Sequence, residues 1–529
     1  MANGKAFLHY WFIESENDPA NDPLVVWLNG GPGSSSLIGL LTENGQFNTN
    51  DRSLDAHGNI SLLYNPYAWT KAASVIYVEQ PKGVGFSYCV KESDCVNTDE
   101  SVGEDFADFL DEWFKGFSEF KSNDFYITGE RCVCFLLLFA CVCVLVFPFW
   151  LNWLFVQCAK LMPISCLFFS FLLSPCSLCP TRNSYAGIYI PEIMNALDKR
   201  GSTNLKGAAI GDGCIGNEVS TCGFASQADR IAVEFYYGHG MYPQTLYPKI
   251  KEACGNFSTE TSACQAVISE MNNKIGNFDI YNVYDQCGSD QVASMSDVYR
   301  QLREARQFRT TGAQSFAVHP QLQKGVAGAL NDYACGAEKV MSMWLSKPEV
   351  QKALHVDHQG TQVYHRTAAD LRPLYRTLAQ KYRILIYSGS VDACVPYWGS
   401  EEWTRELGFK QTEAWRPWNS PSSDEPNQEI QAGYVTTYDA GNHSFTFLTV
   451  SGAGHLVPQH KPGMSPLHAY APLPCLVCLL VGWLVGCFRF FPFVSVAECS
   501  LTALSCFFFS PRAAQALTMF KKFLKNEPF

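Results

Sequence analysis

A chain of 529 residues exceeds one ordinary domain and can bury a large core; 47% of it is apolar and only 17% charged. A formal net charge of −11 argues against nucleic acid as a partner, because phosphate binding needs a basic face.

In chain order, Phe7 to Phe12 reads as a strand. Leu24-Val-Val-Trp-Leu28 and Ser74-Val-Ile-Tyr-Val78 read as buried parallel strands, since short unbroken apolar runs suit strands covered on both faces. Trp27-Leu-Asn-Gly-Gly-Pro-Gly-Ser-Ser-Ser36 continues the first of them. Its glycines let the backbone approach a ligand closely, although a bare Gly-Gly-Pro-Gly would equally suit a strand-ending turn. Between Glu100 and Lys115, Val102, Phe106, Phe109, Leu110, Trp113 and Phe114 recur at helical spacing and predict a helix packed on the core. Phe125-Tyr-Ile-Thr128 and Ile384-Leu-Ile-Tyr387 predict two more buried parallel strands. Residues 221–330 are more polar and read as an insertion over the core sheet. This alternation of apolar runs and amphipathic stretches is the pattern of a soluble α/β enzyme.

Two segments break the texture. From Cys132 to Ala159, 28 residues carry no charge, and a similar stretch follows Lys160. The pattern returns from Gly463 to Pro511, with Cys475-Leu-Val-Cys-Leu-Leu-Val-Gly-Trp-Leu-Val-Gly-Cys487 at its centre. Hydropathy alone reads both as membrane spans.

Of 22 cysteines, eight lie between Arg131 and Asn183 and five between Gly463 and Pro511. Among the other nine, Cys89 and Cys95 bracket a short loop, and Cys264 and Cys287 bracket a helix-like stretch. Such closures suit an oxidising compartment, with connectivity open. Asn59, Asn256 and Asn442 stand in Asn-X-Ser acceptors compatible with secretion. His358, His365, His443 and His460 lack metal-ligand spacing and read as surface or packing residues, so no metal is expected.

Five strings, taken together, resemble the serine carboxypeptidase family. They are Trp27–Ser36, Leu62-Leu-Tyr-Asn-Pro-Tyr-Ala-Trp69, Glu79-Gln-Pro-Lys-Gly-Val-Gly-Phe-Ser-Tyr88, Tyr387-Ser-Gly-Ser-Val-Asp-Ala-Cys394 and Gly452-Ala-Gly-His-Leu-Val-Pro458. The family's nucleophile string, Gly-Glu-Ser-Tyr-Ala-Gly-x-Tyr-Ile-Pro, is present in two halves. Phe125–Glu130 supplies the strand with Gly129 and Glu130, and Ser184-Tyr-Ala-Gly-Ile-Tyr-Ile-Pro191 supplies the rest. The 53 residues 131–183 lie between them. Another 49, residues 463–511, separate the histidine string from the expected final helix at Arg512–Phe520. Removing either segment restores the family pattern with no residue missing. Both have the Phe, Leu, Ser, Pro and Cys content of translated pyrimidine-rich intron, so they are expected to be unspliced introns; the rival is a real membrane insertion.

The resemblance implies an α/β-hydrolase with a doubly wound, mostly parallel sheet and an inserted lid. The core would comprise 1–220 and 331–529, and the lid 221–330. It implies a serine carboxypeptidase that releases C-terminal residues through an acyl-enzyme, best at acid pH and without a cofactor. Ser184, Asp392 and His455 would be the triad, in the chain order usual for this fold. The amides of Gly31 and Tyr185 would form the oxyanion hole. Trp27, Asn29, Gly30, Glu43 and Glu130 would bind the substrate's C-terminal carboxylate, with protons shared between the two glutamates. Peptide or protein C-termini are the expected partners, a homodimer is compatible, and a membrane enters only if the apolar segments are real. The expected location is the secretory route, lysosome- or vacuole-like or extracellular, with a signal peptide upstream of the present Phe7. Alternatives are an acyltransferase on the same fold, or a silent or membrane-inserted homologue if 131–183 is real. Three departures from the family are Ser34 where cysteine is usual, leaving Cys335 without that partner, Val395-Pro396 where many members have asparagine, and Ser390 in place of an acidic residue.

Overall fold

The computed structural model describes residues 4–49, 53–55, 57–132, 184–201, 204–222, 226–259, 261–276, 278–284, 316–317, 337–356, 360–422, 427–459 and 511–529. Most of both apolar segments, and also Cys287, Cys335, His358 and His460, lie outside these residues.

Nine strands form the central sheet: β1 (Tyr10–Ile13), β2 (Leu24–Gly31), β3 (Ser74–Val78), β4 (Phe125–Cys132), β5 (Leu205–Gly211), β6 (Arg383–Gly389), β7 (Lys410–Pro421), β8 (Glu429–Asp439) and β9 (Ser444–Val450). Their order is β7-β8-β9-β6-β5-β4-β2-β3-β1. The six strands from β9 to β3 run parallel, while β1 and the β7–β8 ribbon pair antiparallel at the edges. The sheet is therefore the mostly parallel one of an α/β-hydrolase.

β2 shows why its sequence is apolar throughout. Side chains alternate across a strand, so Leu24, Val26 and Leu28 enter one buried cluster, while Val25 and Trp27 enter the other. On the first face lie α1 (Asp99–Gly116) and α2 (Ala186–Arg200). The predicted apolar stripe of α1 is buried at Val102, Phe106, Phe109, Leu110, Trp113 and Phe114. Its start is set by a reciprocal cap: Thr98 Oγ1 accepts from the Ser101 amide at 3.1 Å, and Ser101 Oγ accepts from the Thr98 amide at 2.8 Å.

The polar stretch after residue 221 contains α3 (Ser226–Gly238), α4 (Tyr247–Cys254) and α5 (Ser262–Ile275). Later come α6 (Arg372–Ala379) and α7 (Tyr397–Glu406). On the second face of the sheet packs α8 (Pro511–Lys525), where Phe520 stacks on Trp69 at 3.9 Å and Trp69 meets Trp27 edge-on at 5.1 Å. The helix expected after residue 511 thus lies against the core.

Two expectations need adjustment. The span from Phe7 to Phe12 is not one strand: Ala6–Phe7 pairs with Tyr88–Cys89, and β1 starts at Tyr10. The break falls at His9, whose amide donates to Ser87 Oγ at 2.8 Å and whose Nδ1 lies 2.9 Å from Glu79. Cys264 is bonded to Cys254, not Cys287, because the turn from α4 to α5 brings their Cα atoms to 4.6 Å. Cys89–Cys95 forms as its spacing suggests, and Cys214–Cys222 is a third bridge. No helix among the described residues is long and apolar enough to cross a membrane.

Candidate active site

The C-terminal ends of β2, β4, β5, β6 and β9 converge, the usual place for a site in a parallel sheet. Each contributes a turn.

Ser184 stands immediately before α2, with Tyr185 capping the helix, and is inaccessible to solvent. Its Oγ lies 3.4 Å from the Gly211 carbonyl oxygen, and its own carbonyl accepts from the Cys214 amide at 2.9 Å. The turn after β5 therefore grips the serine on two sides. Gly187 permits this approach: a Cβ there would meet the Cys214 carbonyl oxygen at 2.2 Å.

Asp392 lies on the loop after β6. Its Oδ1 accepts from the Cys394 amide at 2.7 Å, and its Oδ2 from the Val395 amide at 3.1 Å and from His455 Nδ1 at 2.5 Å. Both partners of this pair are fully buried. The His455 amide donates to Tyr281 O at 2.7 Å, and the two rings lie 5.6 Å apart. Ser390, one of the departures noted above, accepts from the Gly452 amide at 2.6 Å and so ties the aspartate loop to the histidine loop. Asp392, the buried thiol Cys394 and His455 bring possible ligand atoms within 4.8 Å of one another. The aspartate–imidazole bond accounts for that proximity. His365 and His443 belong to no such group among the described residues.

Beside the pair lies a second polar cluster. Parallel pairing of β2 and β4 sets Asn29 opposite Glu130. Asn29 Oδ1 accepts from Trp27 Nε1 at 2.9 Å and from the Gly39 amide at 3.1 Å, leaving Nδ2 to donate to Glu43 Oε1 at 3.0 Å. Glu43 closes the short helical turn Gly39–Glu43, all of it buried. Glu130 accepts from the Val457 amide at 2.5 Å and from the Tyr387 hydroxyl at 2.9 Å. Burial pushes the Glu130 carboxyl well above the usual carboxylate range, and the neighbouring Glu43 charge pushes it further; the Val457 and Tyr387 donors act in the opposite sense. The same burial, with Glu130 beside it, raises the Tyr387 phenol.

Gly30 and Gly31 end β2. Gly31 has φ +139°, and a Cβ there would meet the Gly33 amide nitrogen at 2.7 Å, so the turn requires glycine. The Gly30 carbonyl accepts from the Ser34 amide at 2.9 Å.

Asp392 and His455 are thus brought into direct contact, and Trp27, Asn29 and Glu43 form a hydrogen-bonded chain with Glu130 on the adjoining strand. Sequence reasoning missed four participants. Glu79 was quoted only within a family string, yet it accepts from the Ser35 hydroxyl and from the Phe86 amide at 3.0 Å, locking two loops together. Tyr387 and the Val457 amide hold Glu130. Asp212 is fully buried and accepts from the Gly389 amide at 3.2 Å. A Gly-Asp-Gly turn after an apolar run was its available signal.

A mostly parallel sheet, a serine at the start of a helix and an aspartate–histidine pair on later loops define an α/β-hydrolase. The serine carboxypeptidase family model matches residues 1–131 and 180–469. Serine carboxypeptidase-like 20 of Arabidopsis thaliana is 31% identical over 491 residues, covering 86% of this chain and 84% of that protein. The lysosomal protective protein of Mus musculus is 30% identical over 492 residues, covering 87% and 86%. Among solved structures, Kex1(delta)p, a prohormone-processing carboxypeptidase from Saccharomyces cerevisiae, shares the fold with a TM-score of 0.52 at 19% identity, covering 86% of this chain and 84% of its own. The chain belongs to the serine carboxypeptidase family and is a serine-type peptide hydrolase.

Proposed function

We propose that this enzyme removes single residues from peptide C-termini at acid pH, with Ser184, His455 and Asp392 as its triad. Because His455 Nδ1 is bound to Asp392, Nε2 is the nitrogen left to take a proton. Ser184 Oγ attacks the scissile carbonyl and passes its proton to Nε2. The amides of Gly31 and Tyr185 hold the oxyanion, each donor contributing about 3 kcal/mol to the barrier reduction. Collapse expels the C-terminal amino acid as its amine takes the proton from His455. Water then attacks the acyl-enzyme by the same route, restoring Ser184.

The observation that carries the exopeptidase reading is the buried Trp27–Asn29–Glu43 chain beside Glu130. A carboxylate can dock against two glutamates only where protons are shared among them, and the raised Glu130 supplies such a proton in acid. As pH rises and Glu130 ionises, binding weakens through like-charge repulsion. The exposed Asn59, Asn256 and Asn442 and the three disulfides support a secretory, lysosome-like or extracellular setting. Hydrolysis of a blocked dipeptide with release of its last residue, abolished in Ser184→Ala, tests the reading. Transfer of the acyl group to an alcohol in preference to water would replace it with the acyltransferase.

The working enzyme is proposed to lack 131–183 and 463–511, leaving residues 221–330 as a lid over the remaining core. The family match resumes at 180 after stopping at 131, although it runs on to 469 at the second site. Messenger RNA spanning codons 130–184 and 462–512 tests this. A transcript joining codon 130 to 184 and 462 to 512 is expected; only uninterrupted transcripts would return the silent or membrane-inserted reading.

A further inference from the structure

We propose that Asp212 is a positioning residue of this active site, one whose buried side chain must stay uncharged to hold the nucleophile turn and the aspartate loop in register. The proposal rests on the triad reading above and goes beyond it.

The geometry comes from four consecutive residues. β5 ends at Gly211, whose carbonyl lies 3.4 Å from Ser184 Oγ; Cys214, two residues past Asp212, donates its amide to the Ser184 carbonyl. Between them Asp212 reaches the neighbouring strand twice. Its amide donates to the Tyr387 carbonyl at 2.9 Å, and its carboxyl oxygens lie 3.2 and 3.3 Å from the Gly389 amide. Gly389 is the last residue of β6, three before Asp392. One residue therefore links the backbone that grips Ser184 to the backbone that presents Asp392. It does so at φ +43°, a conformation that aspartate and asparagine tolerate better than most side chains.

Its charge state follows from its company. Asp212 is fully buried, and the ionisable groups facing it are Asp392, itself paired with His455, and Glu130 on β4; Tyr387 on β6 also lies in its field, and Glu43 adds its charge to Glu130. A negative charge on Asp212 would stand in a fully buried site against other carboxylates, with the Gly389 amide as its donor. As an acid it can accept from Gly389 and still carry its proton. Ionised, it would repel the Asp392 loop that it otherwise aligns.

The test uses the enzyme as expressed from its mature transcript and p-nitrophenyl acetate, an ester without a C-terminal carboxylate, so the Glu43–Glu130 cluster does not enter the readout. Asp212→Ala is expected to lower kcat by about 10- to 100-fold while circular dichroism stays native, as misplacement of a catalytic group does. Asp212→Asn keeps the acceptor for Gly389 and cannot ionise. It is expected to recover most of that loss in acid and to move the falling, alkaline limb of the kcat profile upward by about one pH unit or more, a tenfold shift in proton affinity. An Asp212→Asn profile that superimposes on wild type would overturn the proposal, as would an Asp212→Ala enzyme with unchanged kcat. A Ser184→Ala control separates the two levels. If it is inactive, the triad reading stands whichever way Asp212 behaves; if it hydrolyses the ester normally, the triad reading and this inference fall together.

Discussion

Asp392 and Glu130 are equally shut off from water, yet they keep opposite company. Asp392 is surrounded by donors: two backbone amides and an imidazole converge on its two oxygens. Glu130 also has two donors, but it faces Glu43, Asp212 and Asp392 across a buried interior. Burial alone therefore does not decide what a carboxyl does. A carboxylate beside an imidazole can orient a base, whereas a carboxyl held among other carboxyls holds its proton more tightly, the property on which the proposed anion site depends.

The contrast can be broken most sharply on the Asp392 side. Asp392→Asn keeps the size but removes the charge and one of the two oxygens that serve the Cys394 and Val395 amides and His455 Nδ1–H, which disfavours the useful tautomer, so kcat should fall about 10⁴-fold with KM little changed, as measured by steady-state hydrolysis of a blocked dipeptide. On the other side, Glu130→Gln should raise KM by roughly 10- to 100-fold for the same substrate, with a small change in kcat, the loss of one charge-assisted contact. The effect should vanish with an ester lacking a free carboxylate, and persistence there would place Glu130 in the triad's chemistry instead. Tyr387→Phe removes one of the two donors to Glu130 and should raise KM by about three- to tenfold, the worth of a single neutral hydrogen bond.

The smallest effect sharpens the contrast through stability. A carboxyl whose folded affinity for protons exceeds its unfolded one contributes stability below the ordinary carboxylate range, and that contribution is lost as pH rises through its folded value. Glu130 and Asp212 are both shifted this way. The melting temperature should therefore fall by a few degrees between acid and neutral pH, and Glu130→Gln should flatten the slope. A melting temperature that rises over that interval would contradict the charge states assigned to the cluster.

Much of this could be read without coordinates. β2, β3, β4 and β6 announce themselves because strands buried on both faces leave no room for polar side chains. α1 is legible from its spacing, and the proposed triad comes from strings on either side of long interruptions. The β7–β8 ribbon was not foreseen: most of β7 is exposed, so burial imposes little pattern on it. Nor was the Cys254–Cys264 bridge, since a disulfide needs distances that spacing does not supply.

By itself, then, the sequence determined the family and the class of fold and nominated the residues proposed to carry the chemistry, because local backbone demands and reacting groups are written in residue type. The tertiary structure decided which groups touch. The pairing of Asn29 with Glu130 depends on strand register, and the hold of Tyr387 and Val457 on Glu130 joins residues more than 250 positions apart. Asp212 acquires its meaning only where three strand ends meet. Charge state in a dry interior depends on neighbours in space, and a linear string records neighbours only along the chain.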